Sequence, residues 1–282
     1  MIVKKQHYYP RGLLKHFANK KNKVYVYNRM SGKYHWDNYE SICYHNKTYE
    51  TADVTDNILE NSIQRYETKV IPIINRILKD VYKQKDLHIS KEEKDRLWQY
   101  MWLQTHRTDA GRLKLVSNFE GNVERTHPVE LEEIELSKDK LVKFNAIFKR
   151  PEALDALVTF LKRPDSMHFH IAITTTESEF FITSDNPVVA CGGNKGITHF
   201  QVMMPLSPFV YMEFQGQDVN SSDDILVGMD PKKIRYVNKA NINTANYYVI
   251  SHRPFNVDLT AYINHRFTTE SWKPMYPFAP EK

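Results

Sequence analysis

The chain's 282 residues are 41% apolar and 26% charged, enough for a sizeable core and a composition that excludes wholesale disorder. Its 9 glycines speak against a Gly-rich phosphate-loop enzyme. Cys43 and Cys191 are too few and too scattered for a disulfide framework or a thiolate zinc site, so both read as plain buried thiols.

The net charge of +5 hides an asymmetry, because residues 1–36 hold nine Lys and Arg and no acid, which leaves −4 for the rest. Such a segment suits a phosphate-bearing partner, nucleic acid or nucleotide. The competing use of those cations is pairing with the acidic stretch Glu120, Glu124, Glu130, Glu132, Glu133 and Glu135. With no apolar run that spans a bilayer and no apolar core at the N-terminus, the sequence reads as cytoplasmic, without a membrane partner.

In chain order, Pro10 fixes an extended lead-in, and Leu13, Leu14 and Phe17 share one face of a short helix. Lys23–Asn28 alternates like a strand, and Met30–Lys33 turns it into Tyr34–Trp36, a small hairpin. Residues 53–82 carry a helical stripe of Leu59, Ile63, Tyr66, Val70, Ile73, Ile74 and Ile77, which Pro72 kinks or splits. A second helix starts at Ser90 with Glu93 as capping-box partner and ends near Thr108–Gly111; Gln104 and Arg107 share a face of its last turns. An acidic loop to about residue 136 precedes helices at 138–149 and 151–163, the latter opened by Pro151.

Strands then follow at His168–Thr175, Phe180–Thr183, Gln201–Pro205, Val210–Phe214 and Tyr247–Ser251, with one helix at 231–243 capped by Asp230. The class is α+β: a small hairpin and a helical half, then a mainly antiparallel sheet. Residues 1–282 read as one integrated domain, helix-rich over 1–165 and strand-rich over 166–282. Phe180 to Val189 stops an apolar run at Ser184-Asp185-Asn186 and Pro187, which reads as a polar turn at a sheet rim.

Four ordered motifs carry a family resemblance: His7-Tyr8-Tyr9-Pro10 through Phe17, Tyr66-Glu67, Gln104 to Arg107, and Ile182 to Val188. With these the chain resembles the bacterial domain-of-unknown-function family four-two-three-eight, over residues 5 to about 250. Members are reported in phage-defence gene neighbourhoods, so the resemblance implies an effector role and little chemistry.

The residues themselves suggest a polar site. His7, Glu67 and Asp185 are the candidate catalytic groups, and Arg11, Gln104, Arg107, Ser184 and Asn186 the candidates for substrate or phosphate. Glu67 and Asp185 would hold Mg²⁺ or Mn²⁺, with His7 beside them, and the metal would activate water against a phosphodiester. Alternatively His7 is a general base and Arg11 or Arg107 stabilises the transferring phosphoryl group, with no metal. Against both stand structural readings: an Asx-type turn at Asp185, a Glu67–Arg107 ion pair, and a backbone bond from His7. The function expected is a defence nuclease or nucleotide hydrolase. The alternative is a non-enzymatic sensor that binds nucleic acid or a phage-protein trigger through the basic, aromatic N-terminal segment. His168 and His170 share a strand face without a third ligand. Gly192–Gly196 lacks the hydroxyl and helix of a phosphate loop.

Overall fold

A short helical turn, α1 (Arg11–Leu14), follows the first strand, β1 (Lys5–His7), and runs straight into a 3₁₀ turn at Lys15–Phe17. The structure, a computed structural model, describes residues 5–51, 54–120, 130–191, 200–216 and 225–268. The expected hairpin is present: β2 (Lys23–Asn28) pairs antiparallel with β3 (Lys33–Asn38), Tyr25 opposite Trp36 and Tyr27 opposite Tyr34. Next, β4 (Tyr44–Asn46) returns to pair with β1, His7 opposite Tyr44.

The helical half consists of α2 (Ile58–Tyr82), α3 (Lys91–Thr105), α4 (Asp109–Phe119), α5 (Leu131–Leu136), α6 (Lys138–Phe148) and α7 (Pro151–Phe160). α2 starts at Ile58 rather than at 53 and is not split: Pro72 sits inside one continuous helix, with Ile73, Ile74 and Ile77 buried just beyond it. The Ser90–Glu93 capping box forms as expected, Ser90 Oγ accepting from the Glu93 amide at 3.2 Å and Glu93 returning the bond at 3.0 Å. The loop expected after Gly111 is replaced in part by helix. Thr108 does not end α3 but caps α4, its hydroxyl accepting from the Gly111 amide at 3.1 Å. Gly111 is required there, because a Cβ would lie 1.8 Å from the Thr105 carbonyl oxygen.

Two further sheets complete the chain. β5 (His168–Thr174), β7 (Val189–Cys191), β8 (Gln201–Ser207), β9 (Val210–Gln215) and β10 (Ile225–Met229) form one in the order β10-β5-β9-β8-β7, antiparallel except for β10 on β5. β6 (Thr183–Ser184) and β11 (Tyr248–Ser251) join the hairpin in the order β3-β2-β11-β6. The strand expected at Phe180–Thr183 is thus reduced to its polar end. The Phe181 amide donates to Pro208 O and the Ile182 amide to Asn238 Oδ1, so these residues are buried without a ladder. α8 (Pro231–Thr244) is capped by Asp230, and α9 (Val257–Thr268) follows β11.

One apolar core draws on both halves: Leu14, Ile74, Leu97 and Trp98 pack with Phe169, Val202, Met204 and Phe214. Trp98 stands edge-on to Phe214 at 5.2 Å and donates to Leu161 O at 2.8 Å. Of the N-terminal aromatics, Tyr8, Tyr9 and Tyr27 belong to cores, and Trp36 remains 38% exposed on the edge strand β3. Cys43 is a buried thiol; the side chain of Cys191 and the Gly192–Gly196 run lie outside the described residues. None of the described helices is long and apolar enough to cross a membrane.

Candidate functional site

A three-residue strand such as β1 cannot hold itself, and the polar residues around it show what does. Gln6 is buried and donates to Glu50 Oε1 at 2.6 Å, while its own oxygen accepts from the Tyr49 amide at 2.9 Å. On the other side Gln104, near the end of α3, donates to Tyr8 O at 2.6 Å, and Arg107 donates to His7 O. Two side chains three residues apart thus grip the carbonyls of two consecutive residues. Both are enclosed, Gln104 at 0% and Arg107 at 1% exposure.

Arg107 is the junction. Its guanidinium pairs with the Glu67 carboxylate of α2 and reaches Tyr49 Oη and Gln104 Oε1, each at 3.4 Å; Tyr100 also donates to Gln104, at 3.0 Å. Burial works against its charge, but Glu67, with Tyr49, Tyr100 and Glu60 behind it, more than offsets burial and holds Arg107 ionised. Glu60, two helical turns before Glu67, feels the same neighbourhood. Burial, with the repulsion of Glu67 and Glu50, lifts its carboxyl to about 7 against the pull of Arg107.

The His7 imidazole itself is half-buried. It packs on Tyr44 with ring centres 5.3 Å apart, and Nε2 lies 3.4 Å from Glu40 O. Lys5 Nζ stands 4.6 Å above the same Tyr44 ring. Burial, then the charges of Arg11, Arg107 and Lys5, bring His7 down to about 4 in spite of the Glu40 carbonyl, so it is neutral near pH 7.

Asp185 belongs to a different node. Its Oδ1 accepts from the amides of Asn246 at 3.0 Å and Tyr248 at 3.2 Å, and its Oδ2 from that of Tyr247 at 3.1 Å. The side chain is 0% exposed, and burial raises it to about 6 against the pull of those three bonds. Ser184, also 0% exposed, closes the turn: its hydroxyl donates to Asn186 O at 2.8 Å and accepts from the Asn186 amide at 3.2 Å. The structure therefore gathers Glu67, Gln104, Arg107 and the His7 backbone, and separately Ser184, Asp185 and Asn186. Tyr8 is the bridge, its carbonyl held by Gln104 and its ring 6.0 Å from that of Tyr247. Arg11 stands exposed beside His7, at the start of α1.

Residues 5–255 match the family described as protein of unknown function (DUF4238). The chain belongs to this family. No curated protein and no solved structure matches it. The DUF4238 span runs from β1 through β11 and leaves α9 outside, so it takes in both polar nodes.

The donor chemistry for a metal is poor at the expected pair, since Glu67 is ion-paired and both Asp185 oxygens are taken by backbone amides. Among the described residues no group of three or more His, Cys, Asp or Glu is placed to hold a metal ion. His168 and His170 stack with ring centres 6.5 Å apart on one face of β5.

A third cluster lies outside the residues singled out by sequence. Arg112, 1% exposed, donates to Thr48 O at 2.6 Å and Asn145 Oδ1 at 2.8 Å and pairs with Asp109. Asp109 also accepts from Tyr247 Oη at 2.7 Å and faces His45 Nδ1 at 3.4 Å. Burial would raise Asp109; Arg112, His45 and Tyr247 overcome it and hold the carboxyl well below the ordinary carboxylate range. The signal for this cluster was Thr108-Asp109 followed by Gly111 and Arg112, a cap with an i,i+3 ion pair that resembles a helix stop.

Proposed function

We propose that this DUF4238 chain hydrolyses phosphodiesters of nucleic acid or nucleotides, as an effector in bacterial antiphage defence. The observation that carries the reading is a neutral imidazole at a partly open position among cations: His7, with Lys5 and Arg11 beside it and the buried Arg107 behind. Cations draw in the phosphate, and a neutral ring at neutral pH can take a proton. In the proposed step His7 Nδ1, the ring nitrogen left as acceptor while Nε2–H donates to Glu40 O, takes a proton from the attacking water as its oxygen bonds to phosphorus. The bond to the leaving oxygen breaks, and that oxygen takes a proton from solvent. Lys5 and Arg11 offset the charge that develops on the phosphoryl oxygens. Arg107, Gln104 and Glu67 act as positioning groups, and Asp185 with Ser184 and Asn186 anchors the neighbouring strand. No step passes through a metal. The defence context rests on the family resemblance.

The direct experiment incubates the purified chain, in excess EDTA, with single-stranded RNA, single-stranded DNA and small cyclic and linear dinucleotides, with products read by mass spectrometry. Cleavage of one class supports the reading; intact substrates in every case, with and without Mg²⁺ or Mn²⁺, refute it.

One arrangement favours the sensor reading as well. Arg29 pairs with Glu130, one member of the acidic stretch, whereas Lys20, Lys21, Lys23 and Lys33 are exposed around the β2–β3 hairpin that presents Trp36. Replacing Lys20, Lys21 and Lys23 with Glu would then remove nucleic-acid binding and flatten its salt dependence, leaving hydrolysis of small dinucleotides unchanged.

A further inference from the structure

The C-terminal end of α2 stands roughly 23 Å along the helix axis from Glu67, at 1.5 Å per residue between Glu67 and Tyr82. There a cavity of about 650 Å³ opens between this helix end and the β5–β9 sheet. Its floor is Ile173, Thr174, Phe209 and Val210, and its walls are Tyr82 and the segment Gln84-Lys85-Asp86-Leu87. The volume is within the ordinary range for a small-ligand site.

Two features of the wall are unusual for a mere surface dent. Tyr82 is 56% exposed, yet its hydroxyl is fixed to Ser207 Oγ at 2.8 Å, so the ring is a pinned aromatic surface. The helix ends in a Schellman turn: the Lys85 amide donates to Asp80 O at 2.9 Å and the Gln84 amide to Val81 O at 3.0 Å. The residue that must be left-handed in that turn is normally glycine, and here it is Gln84 at φ 53°. A side chain is thus retained at a position where glycine is easier, and that side chain lines the cavity.

The lining combines two aromatic rings, Tyr82 and Phe209, with one cation, one carboxylate and one amide. We propose that this cavity binds a nucleoside monophosphate: the base stacks on Tyr82 against Phe209, Asp86 accepts from the ribose hydroxyls, and Lys85 with Gln84 meets the phosphate. An aromatic face accepts any base, a carboxylate suits paired hydroxyls, and an exposed lysine suits a phosphate monoester. The site is independent of the proposed hydrolysis, because a monophosphate has no phosphodiester to cleave and binding is read without turnover.

Isothermal titration of the full chain with AMP tests it, alongside adenosine and inorganic phosphate as separate probes. The expected result is saturable AMP binding, at least tenfold tighter than either fragment, and weakened at least tenfold by Lys85→Glu and by Tyr82→Ala. Gln84→Gly is the sharper variant: it relieves the backbone, so the denaturation midpoint rises while AMP affinity falls about fivefold or more. Absence of AMP binding up to millimolar concentration overturns the proposal. So does AMP binding that Lys85→Glu and Gln84→Gly leave unchanged, or phosphate binding as tightly as AMP. Loss of folding in Tyr82→Ala leaves the other two variants to decide.

Discussion

Replacing Asp185 by alanine separates an anchoring role from a catalytic one. The substitution leaves three backbone N–H groups, those of Asn246, Tyr247 and Tyr248, without the carboxylate that accepts them. Each unsatisfied buried donor costs about 2 kcal/mol, which gives about 6 kcal/mol. Against this stands the cost of keeping a carboxylate ionised inside the protein. A group moved from 3.8 to about 6 holds its proton in the folded state more tightly by roughly 3 kcal/mol. The net loss at pH 7 is therefore about 3 kcal/mol. Because the folded-state value is raised, the stability linked to this proton is fully present below pH 3.8 and is lost as pH rises through 6. The gap between wild type and Asp185→Ala should then be wider near pH 4 and narrow toward pH 7. Urea denaturation at several pH values measures both quantities. Asp185→Ala with a wild-type midpoint at every pH, together with lost hydrolysis, would refute the anchoring argument and return Asp185 to the chemistry.

Further consequences follow from single contacts. Arg107→Ala strands the Glu67 carboxylate and frees the His7 carbonyl, so a loss of about 3–5 kcal/mol is expected by denaturation, and Arg107→Lys should recover only part of it. Gly111→Ala drives a Cβ into the Thr105 carbonyl and should cost at least about 3 kcal/mol in the same assay. Removing the α4 cap in Thr108→Ala should cost about 1 kcal/mol. Since His7 lies near 4, any hydrolysis that depends on its neutral form should be flat from neutral pH down and fall as pH drops through 4. Folded His7 binds fewer protons than unfolded His7 between pH 6.5 and 4, so its contribution to stability also declines as pH falls across that window.

What the sequence revealed was mostly local. Ser90 with Glu93, Pro151, and Asp230 with Pro231 act within one helical turn, and all three helices begin where those residues place them. α4 was missed because Thr108 and Gly111 look like a helix stop; only the packing of Gly111 on the Thr105 carbonyl shows why glycine stands inside a helix. Phe180–Ile182 looked like a strand because its burial resembles one, but Asn238 and Pro208, far along the chain, satisfy its amides instead of a ladder. The same non-locality hid the place of Asp185, whose partners lie more than sixty residues away in sequence. Residue types pointed to Glu67, Gln104 and Arg107 as a set. Their spacing could not tell that two of them hold main-chain carbonyls of His7 and Tyr8 from within the core.

The measurement closest to the central claim compares wild type with His7→Gln for cleavage of single-stranded RNA, single-stranded DNA and dinucleotides in EDTA, at matched denaturation midpoints. Glutamine keeps the His7 carbonyl that Arg107 grips and offers a side-chain N–H in place of the ring's bond to Glu40 O, so the fold should be retained despite the lost ring contact with Tyr44. The account predicts cleavage by wild type and a fall of at least about a hundredfold in His7→Gln, the scale of a lost general base. Equal rates in the two proteins would contradict it.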